Sequence, residues 1–293
     1  MTDNRERDTL VPRMEKAESD TPRISRDRLV TLFVYLVFGL LCFGETFFYS
    51  RVVGTGVMPD EIAHTSYVSY LVDTGRIIPE FPEMRIFYPD GSWGHIPNYI
   101  AHPPLYYHLL RWTQPDNRSG LTREALILRA RFATPWMGLA VIGLMMWIGL
   151  RLEMPLPAHL VYAGGLATVP MVSFGLAGVN NDVLAWFAGG LVILGTCRWA
   201  EDRRGRHTAL LLGAGIGIAL LAKLTAALLC IIAVFLVMLR SLAMEKPIRA
   251  KEWALPFFLI AACCLPGIAY HGAQLAKYGT LFPRGAATSP VEE

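Results

Sequence analysis

Long uninterrupted apolar blocks are the feature that most constrains this chain. Segment 209–239 contains one charged residue, Lys223, and segment 142–150 contains none. Only 17% of the 293 residues are charged and 53% are hydrophobic, whereas about a quarter of the residues in soluble domains are charged. Such blocks are typical of membrane-spanning helices. The composition therefore excludes a disordered chain and argues against an ordinary cytosolic globule.

Net charge and cysteine usage argue against two further classes of protein, nucleic-acid-binding proteins and disulfide-stabilised proteins. The formal charge is +3, which is too small to suggest a nucleic-acid partner. The five cysteines lie in or at the end of apolar blocks, and none has metal-ligand spacing, so a disulfide framework is not expected. These cysteines are residues 42, 197, 230, 263 and 264.

The apolar pattern predicts an all-α polytopic membrane protein with about seven transmembrane helices. Residues 1–28 are polar and predict a disordered cytoplasmic tail. Residues 29–293 form the predicted transmembrane module, with a large outer first loop at 51–125 that contains an amphipathic juxtamembrane helix at 60–74. The expected spans are 29–49, 126–150, 158–177, 183–200, 208–222, 224–239 and 253–271.

Basic residues predict the orientation in the membrane. The tail and the loops near 151, 198–206 and 240–251 are rich in Lys and Arg, whereas the opposite short loops carry only Lys223. By the positive-inside rule the tail is cytoplasmic. We therefore expect an integral protein of the cytoplasmic (inner) membrane whose active face, which includes the 51–125 loop, lies outside.

The first candidate site motif follows the first span. Pro59 suits the first position of a helix and acidic residues suit its first turn. In that helix Asp60 and Glu61 would lie three to four residues before His64, which puts the three side chains on neighbouring positions. They form either a favourable helix start with a solvated histidine or a carboxylate base or metal site.

The second motif is His102 followed by two prolines, a leucine and two tyrosines. The prolines fix an extended turn, which would hold the His102 side chain at a set height. The alternative is a rigid interfacial elbow with a tyrosine belt.

Two further candidates fall at the outer ends of later spans. Asp182 follows two asparagines, and it is either a helix cap or a second active-site acid. Lys223 interrupts an apolar stretch, where a charge is costly and is usually functional or snorkels to the interface. Arg123, Arg129 and Arg131 begin the second span and could bind phosphate or anchor the helix at the interface.

The order and sidedness of these motifs resemble the GT-C membrane glycosyltransferases. The closest resemblance is to glycosyltransferase family 39, which holds protein O-mannosyltransferases and the aminoarabinose transferases of lipid A. The resemblance covers about residues 29–283 and rests mostly on the Asp60–His64 and His102 motifs. The family usually has more spans and often an outer C-terminal domain, so we expect this chain to lack the family's C-terminal part.

The resemblance implies a function and a set of roles. Such enzymes move a sugar from a polyprenyl-phosphate donor to a lipid, glycan or protein acceptor outside the membrane (class EC 2.4). Asp60 would be the base of an inverting transfer, with Glu61 and Asp182 as the other catalytic acids. The residues implied for substrate binding are His102, Lys223, His64, Arg129 and Arg131. His102 replaces a frequent lysine, which would make its phosphate contact pH-dependent. A divalent metal on Asp60 and Asp182 is possible.

Other functions fit less well. The main alternative is a non-catalytic scaffold or lipid-carrier-binding relative of the same fold, in which Asp60 would be dispensable. A transporter would need repeats and broken helices at matching positions in two halves. A zinc peptidase would need the second histidine of its helical motif.

Overall fold

A computed structural model describes residues 26–118, 120–201, 205–244, 250–281 and 283. It is 76% helical and 3% strand, as an all-α polytopic protein should be. The predicted disordered tail lies outside the described residues up to position 25, and its last three residues belong to the first helix. The helices are α1 Arg26–Val52, α2 Glu61–Thr74, α3 Leu105–Leu110, α4 Arg123–Arg151, α5 Leu156–Thr168, α6 Pro170–Ala177, α7 Asp182–Ala200, α8 Arg206–Ala222, α9 Leu224–Met244 and α10 Ala250–Tyr278.

The membrane-spanning character is confirmed, but the count of seven spans is not. Within the described ranges, α1, α4, α7, α9 and α10 are long and apolar enough to cross a bilayer. The pair α5 and α6 makes a sixth span if the two halves are counted together. Helix α8 is apolar but has only 17 residues, about 25 Å of helix against about 30 Å of hydrocarbon.

Two breaks in the helices have local causes. Helices α5 and α6 meet at a 49° bend at Val169, where Pro170 lacks the amide hydrogen that would continue the helix. Helices α8 and α9 meet at Lys223, whose backbone is extended (φ −156°, ψ 112°). The second break places a charged side chain at a sharp turn between two apolar helices.

One end of the bundle, here called the loop end, carries residues 53–118 and 120–122, the turn at 178–181 and Lys223. Helix α2 lies there, and it begins at Glu61 with Asp60 as its N-cap, so Pro59 precedes the helix instead of starting it. Almost all of the segment 61–71 is buried, so α2 is a core helix and not an amphipathic surface helix. A small antiparallel hairpin, β1 Arg85–Phe87 with β2 Trp93–Pro97, was not anticipated from the sequence.

Candidate active site at the loop end

Asp60 is the non-glycine residue with a positive φ in the described part of the chain (φ 55°, ψ 10°). A residue other than glycine rarely adopts this backbone conformation, and such backbone strain is commonly retained at functional sites. Its carboxylate makes no capping hydrogen bond to α2. Instead Oδ1 accepts a 2.6 Å hydrogen bond from the Tyr99 hydroxyl, and the residue is exposed. Asp60 is therefore a fixed and accessible carboxylate.

Glu61 points the other way, into a buried ion pair. Its two oxygens accept from Nε and Nη2 of Arg131, each at 2.6 Å, and the two side chains are at most 1% exposed. Backbone amides of Gly56 and Val179 also donate to Glu61. This carboxylate is fully engaged in joining the start of α2 to α4 and to the turn before α7.

Arg131 is equally occupied. Its remaining donors reach backbone carbonyls of Ser50, Val53 and Gly54, so every N–H of the guanidinium has a protein acceptor. The geometry thus places the predicted phosphate ligand Arg131 and the predicted catalytic acid Glu61 in a structural pair. Substrate contact by either would require this buried pair to open.

His64 and His102 lie together, and His102 is close enough to Asp60 to feel its charge. Their rings are stacked with centroids 6.0 Å apart. Nδ1 of His64 is hydrogen-bonded to the Tyr107 hydroxyl at 2.9 Å, and Tyr67 donates to the carbonyl of His102 at 3.0 Å. The aromatic rings of Tyr67 and Tyr107 are stacked at 3.7 Å. The prolines after His102 and this tyrosine stack fix the position of the histidine, as the motif predicts.

Burial keeps both imidazoles neutral. Burial, with Lys223 nearby, lowers the pKa of His102 to about 4, although the charges of Asp182 and Asp60 act in the opposite direction. The pKa of His64 falls well below its ordinary value through burial and the proximity of His102 and Lys223. The pH dependence that the resemblance implies for a phosphate contact of His102 is therefore expected below about pH 5 and not near neutral pH.

Asp182 and Lys223 form an ion pair at the mouth of the bundle. Nζ of Lys223 donates to Oδ1 of Asp182, and the two side chains are 30% and 42% exposed. Asn180 accepts from the amide of Asp182 at 2.9 Å, and Asn181 donates to the carbonyl of Ala222 at 2.7 Å. The two asparagines thereby bring the start of α7 against the α8–α9 turn.

These groups converge. The carboxylates of Asp60 and Asp182 both act on the pKa of His102 and on that of Tyr107, so both lie close to the same two rings. We call the set of five ionisable side chains the loop-end cluster. Its members are Asp60, His64, His102, Asp182 and Lys223.

An apolar groove leads away from this cluster. It has a volume of about 360 Å³ and begins at the Asp182–Lys223 pair. It then follows one face of α7 past Gly189 to Ile193, about 16 Å further along the helix. Helix α9 forms the other wall. A Cβ added to Gly189 would meet nothing within 4 Å, so the groove is open there. The groove therefore joins a charged pair at its head to an apolar channel between two helices.

Two other predicted arginines begin α4. Arg129 is exposed on α4, and Arg123 donates to the carbonyl of Phe87 at 3.3 Å. Within the described residues no three or more His, Cys, Asp or Glu side chains are arranged to hold a metal ion. A divalent metal held by Asp60 and Asp182 alone, which the sequence leaves possible, stays a prediction.

Tyr99 was missed by the sequence reasoning. It is 53% exposed, and burial together with the hydrogen bond to Asp60 raises its pKa to about 12, so it remains a neutral donor. One signal was present in the sequence, because Tyr99 lies in the same proline-bounded extended stretch as His102.

Comparisons with known proteins add no assignment. No family model matches the chain, and neither a curated protein nor a solved structure matches it. The similarity to the GT-C glycosyltransferases thus stays a prediction from the sequence motifs.

Proposed function

We propose that this protein is a membrane glycosyltransferase that uses a polyprenyl-phosphate sugar at the loop-end cluster, on the outer face of the cytoplasmic membrane. The observation that carries the proposal is the Asp182–Lys223 pair at the head of an open apolar groove between α7 and α9. A donor with a phosphodiester on a long hydrocarbon chain has matching chemistry.

The phosphate would bind at Lys223 and the polyprenyl chain would follow the groove. An anion here gains from the Lys223 ammonium and from the N-terminus of α7, which begins at Asp182. Charge that develops on the leaving phosphate is stabilised by donors already in place, the usual source of the largest catalytic effect. In the free protein the Asp182 carboxylate is paired with Lys223, at the position that the phosphate would take.

Asp60 is the candidate base. It is exposed, held by Tyr99 and close to His102, so it can accept the proton of an acceptor hydroxyl or amine as that group attacks the sugar. The C–O bond to the phosphate breaks as the new bond forms, which inverts the anomeric centre. His64 and His102 are neutral and can hydrogen-bond to the sugar or the phosphate. Glu61 and Arg131 position the start of α2.

The charge at the groove mouth gives a paired prediction. Lys223→Met should weaken binding of a short-chain polyprenyl phosphate about tenfold or more, because the anion loses its ammonium partner. Asp182→Asn should strengthen it by up to about tenfold, because a competing carboxylate is removed. Binding can be measured with the purified protein in nanodiscs, with Glu124→Gln as a control at an exposed acid on α4. Equal affinities in all four proteins would remove Lys223 from the phosphate site.

The pKa of His102 sets the expected pH dependence. The imidazole is neutral from pH 6 to 8, so His102→Gln should change donor affinity equally at both pH values. Below about pH 5 the ring takes up a proton, which favours the bound anion, and wild-type affinity should rise relative to that of the variant. A titration of binding from pH 8 to 4.5 tests this. If the affinity of the wild type relative to that of His102→Gln fell between pH 6 and pH 8, the histidine would be charged at pH 6. That result would contradict the prediction.

The runner-up function is a lipid-carrier-binding protein without catalysis. The same groove supports it, because binding of a polyprenyl phosphate needs Lys223 and the α7–α9 channel but not Asp60. The strained backbone at Asp60 and its hydrogen bond to Tyr99 favour the enzyme.

A further inference from the structure

A second apolar groove lies on the opposite side of the α8–α9 turn. It has a volume of about 370 Å³, close to that of the α7–α9 groove, and is lined by α3, α10, the loop at 77–78 and the end of α8. The turn separates the two grooves, because Leu221 lines the second whereas Lys223, two residues later, lines the first. Both grooves therefore reach the α8–α9 turn, which carries Lys223 of the loop-end cluster.

The second groove is connected to the same catalytic elements. Its wall includes Pro104 and Leu105, which follow directly on His102 and Pro103. Tyr270, another wall residue, lies close enough to Tyr67 and Tyr107 to act on their pKa values. These two tyrosines are the ones that hold His64 and His102. A chain in this groove would place its head group near His102 and the two tyrosines.

The groove is preformed and its lining is apolar. His108 Nε2 is hydrogen-bonded to the carbonyl of Ile77 at 2.7 Å, which fixes the loop against α3. Glu80 is paired with Lys277 and accepts from Tyr278 at 2.8 Å, which fixes the same loop to the end of α10. Ile77 is nevertheless 74% exposed. An exposed isoleucine at the rim of an apolar channel between membrane helices is suited to hydrocarbon contact.

We propose, building on the proposed function, that this α3–α10 groove binds a hydrocarbon chain of the acceptor, and that the acceptor is a bilayer lipid with a hydroxyl or amine in its head group. The occupant is a lipid because the channel lies between apolar helices and its wall includes Pro104 and Leu105, close to His102 in the chain. A peptide would approach Asp60 from the aqueous side and would not need it. The hydroxyl or amine in the lipid's head group would transfer its proton to Asp60 and form the new bond to the sugar.

The test uses phosphatidylethanolamine with a photoreactive diazirine in one acyl chain, incorporated into nanodiscs with the whole 293-residue chain. We expect labelling at Ile77, Leu105 or Leu221. Ala273→Phe, which fills the second groove, should reduce that labelling about tenfold or more, whereas Gly189→Phe, which fills the first, should leave it unchanged. Labelling of the groove between α1 and α4 near Leu139 is the internal reference for ordinary lipid contact.

A second probe carries the diazirine in the head group and should label Tyr99 or the segment 58–60. Acyl-chain labelling of the second groove no higher than at Leu139, or head-group labelling remote from the cluster, would overturn the acceptor assignment. Competition by excess polyprenyl phosphate would also overturn it, because the groove would then belong to the donor. Donor binding is measured in the same samples. If polyprenyl phosphate does not bind while the second groove is still labelled, only the donor proposal is contradicted. Failure of the donor proposal and failure of the acceptor proposal are therefore distinguishable.

Discussion

Arg131→Met should lower the free energy of unfolding by about 3–5 kcal/mol, because it leaves the Glu61 carboxylate buried without its charge partner. Glu61 has no exposed oxygen to rehydrate, since its side chain is 0% exposed. The carbonyls of Val53 and Gly54 would also lose their donor. The effect can be measured by reversible unfolding in mixed detergent micelles.

Arg129→Met is the matched control, because it makes the same change two residues earlier on an exposed face of α4. Its effect should stay within about 0.5 kcal/mol. The double change Glu61→Met with Arg131→Met should recover part of the loss, since no charge is then left unpaired. Equal stabilities of the Arg131 and Arg129 variants would contradict the structural assignment of the pair.

Asp60→Asn should reduce turnover about 10²–10⁴-fold, the range expected for loss of a general base. Asparagine tolerates the left-handed backbone and can still accept from Tyr99, so the fold and the binding of polyprenyl phosphate should remain. Turnover is the release of polyprenyl phosphate from whichever donor the wild type consumes, selected from a panel of polyprenyl-phosphate hexoses and pentoses. Unfolding and binding measurements on the same sample separate catalysis from stability.

Glu124→Gln is the control for this change, because Glu124 is another exposed acid at the loop end, in the first turn of α4. It should turn over at the wild-type rate. Wild-type turnover in Asp60→Asn would exclude this carboxylate as the base. A protein that binds polyprenyl phosphate tightly but releases none from any donor would favour the lipid-carrier-binding alternative.

The apolar pattern predicted the helices well, because a membrane helix needs a long run of apolar residues and little else. It could not predict the number of spans. Helix α8 is too short by length alone, and the split at Val169 depends on one proline. The burial of α2 was also missed, since Ser66, Ser69 and Thr65 look like a polar face in sequence. In the fold Ser66 donates to the carbonyl of Ile62 and accepts from the amide of Phe87.

The order of spans and loops predicts that Asp60, His102, Asp182 and Lys223 lie at the same end of the bundle. In the structure the charges of the other three act on His102, and Lys223 is paired with Asp182. Sequence could not tell Asp60 from Glu61. The two acids are adjacent, but the backbone turn at Asp60 sends one side chain outward and the other into the core. That difference depends on Arg131, which is 70 residues further along the chain.

The most direct test of the donor proposal is a structure of the protein with a short-chain polyprenyl phosphate, the product common to every such donor. We expect the phosphate within about 2.9 Å of Lys223 Nζ, the distance of a charge-assisted hydrogen bond. Asp182 should be displaced from the lysine, and the chain should lie along Gly189 and Ile193. A phosphate bound elsewhere, with the Asp182–Lys223 pair intact and the α7–α9 groove unchanged, would contradict the account.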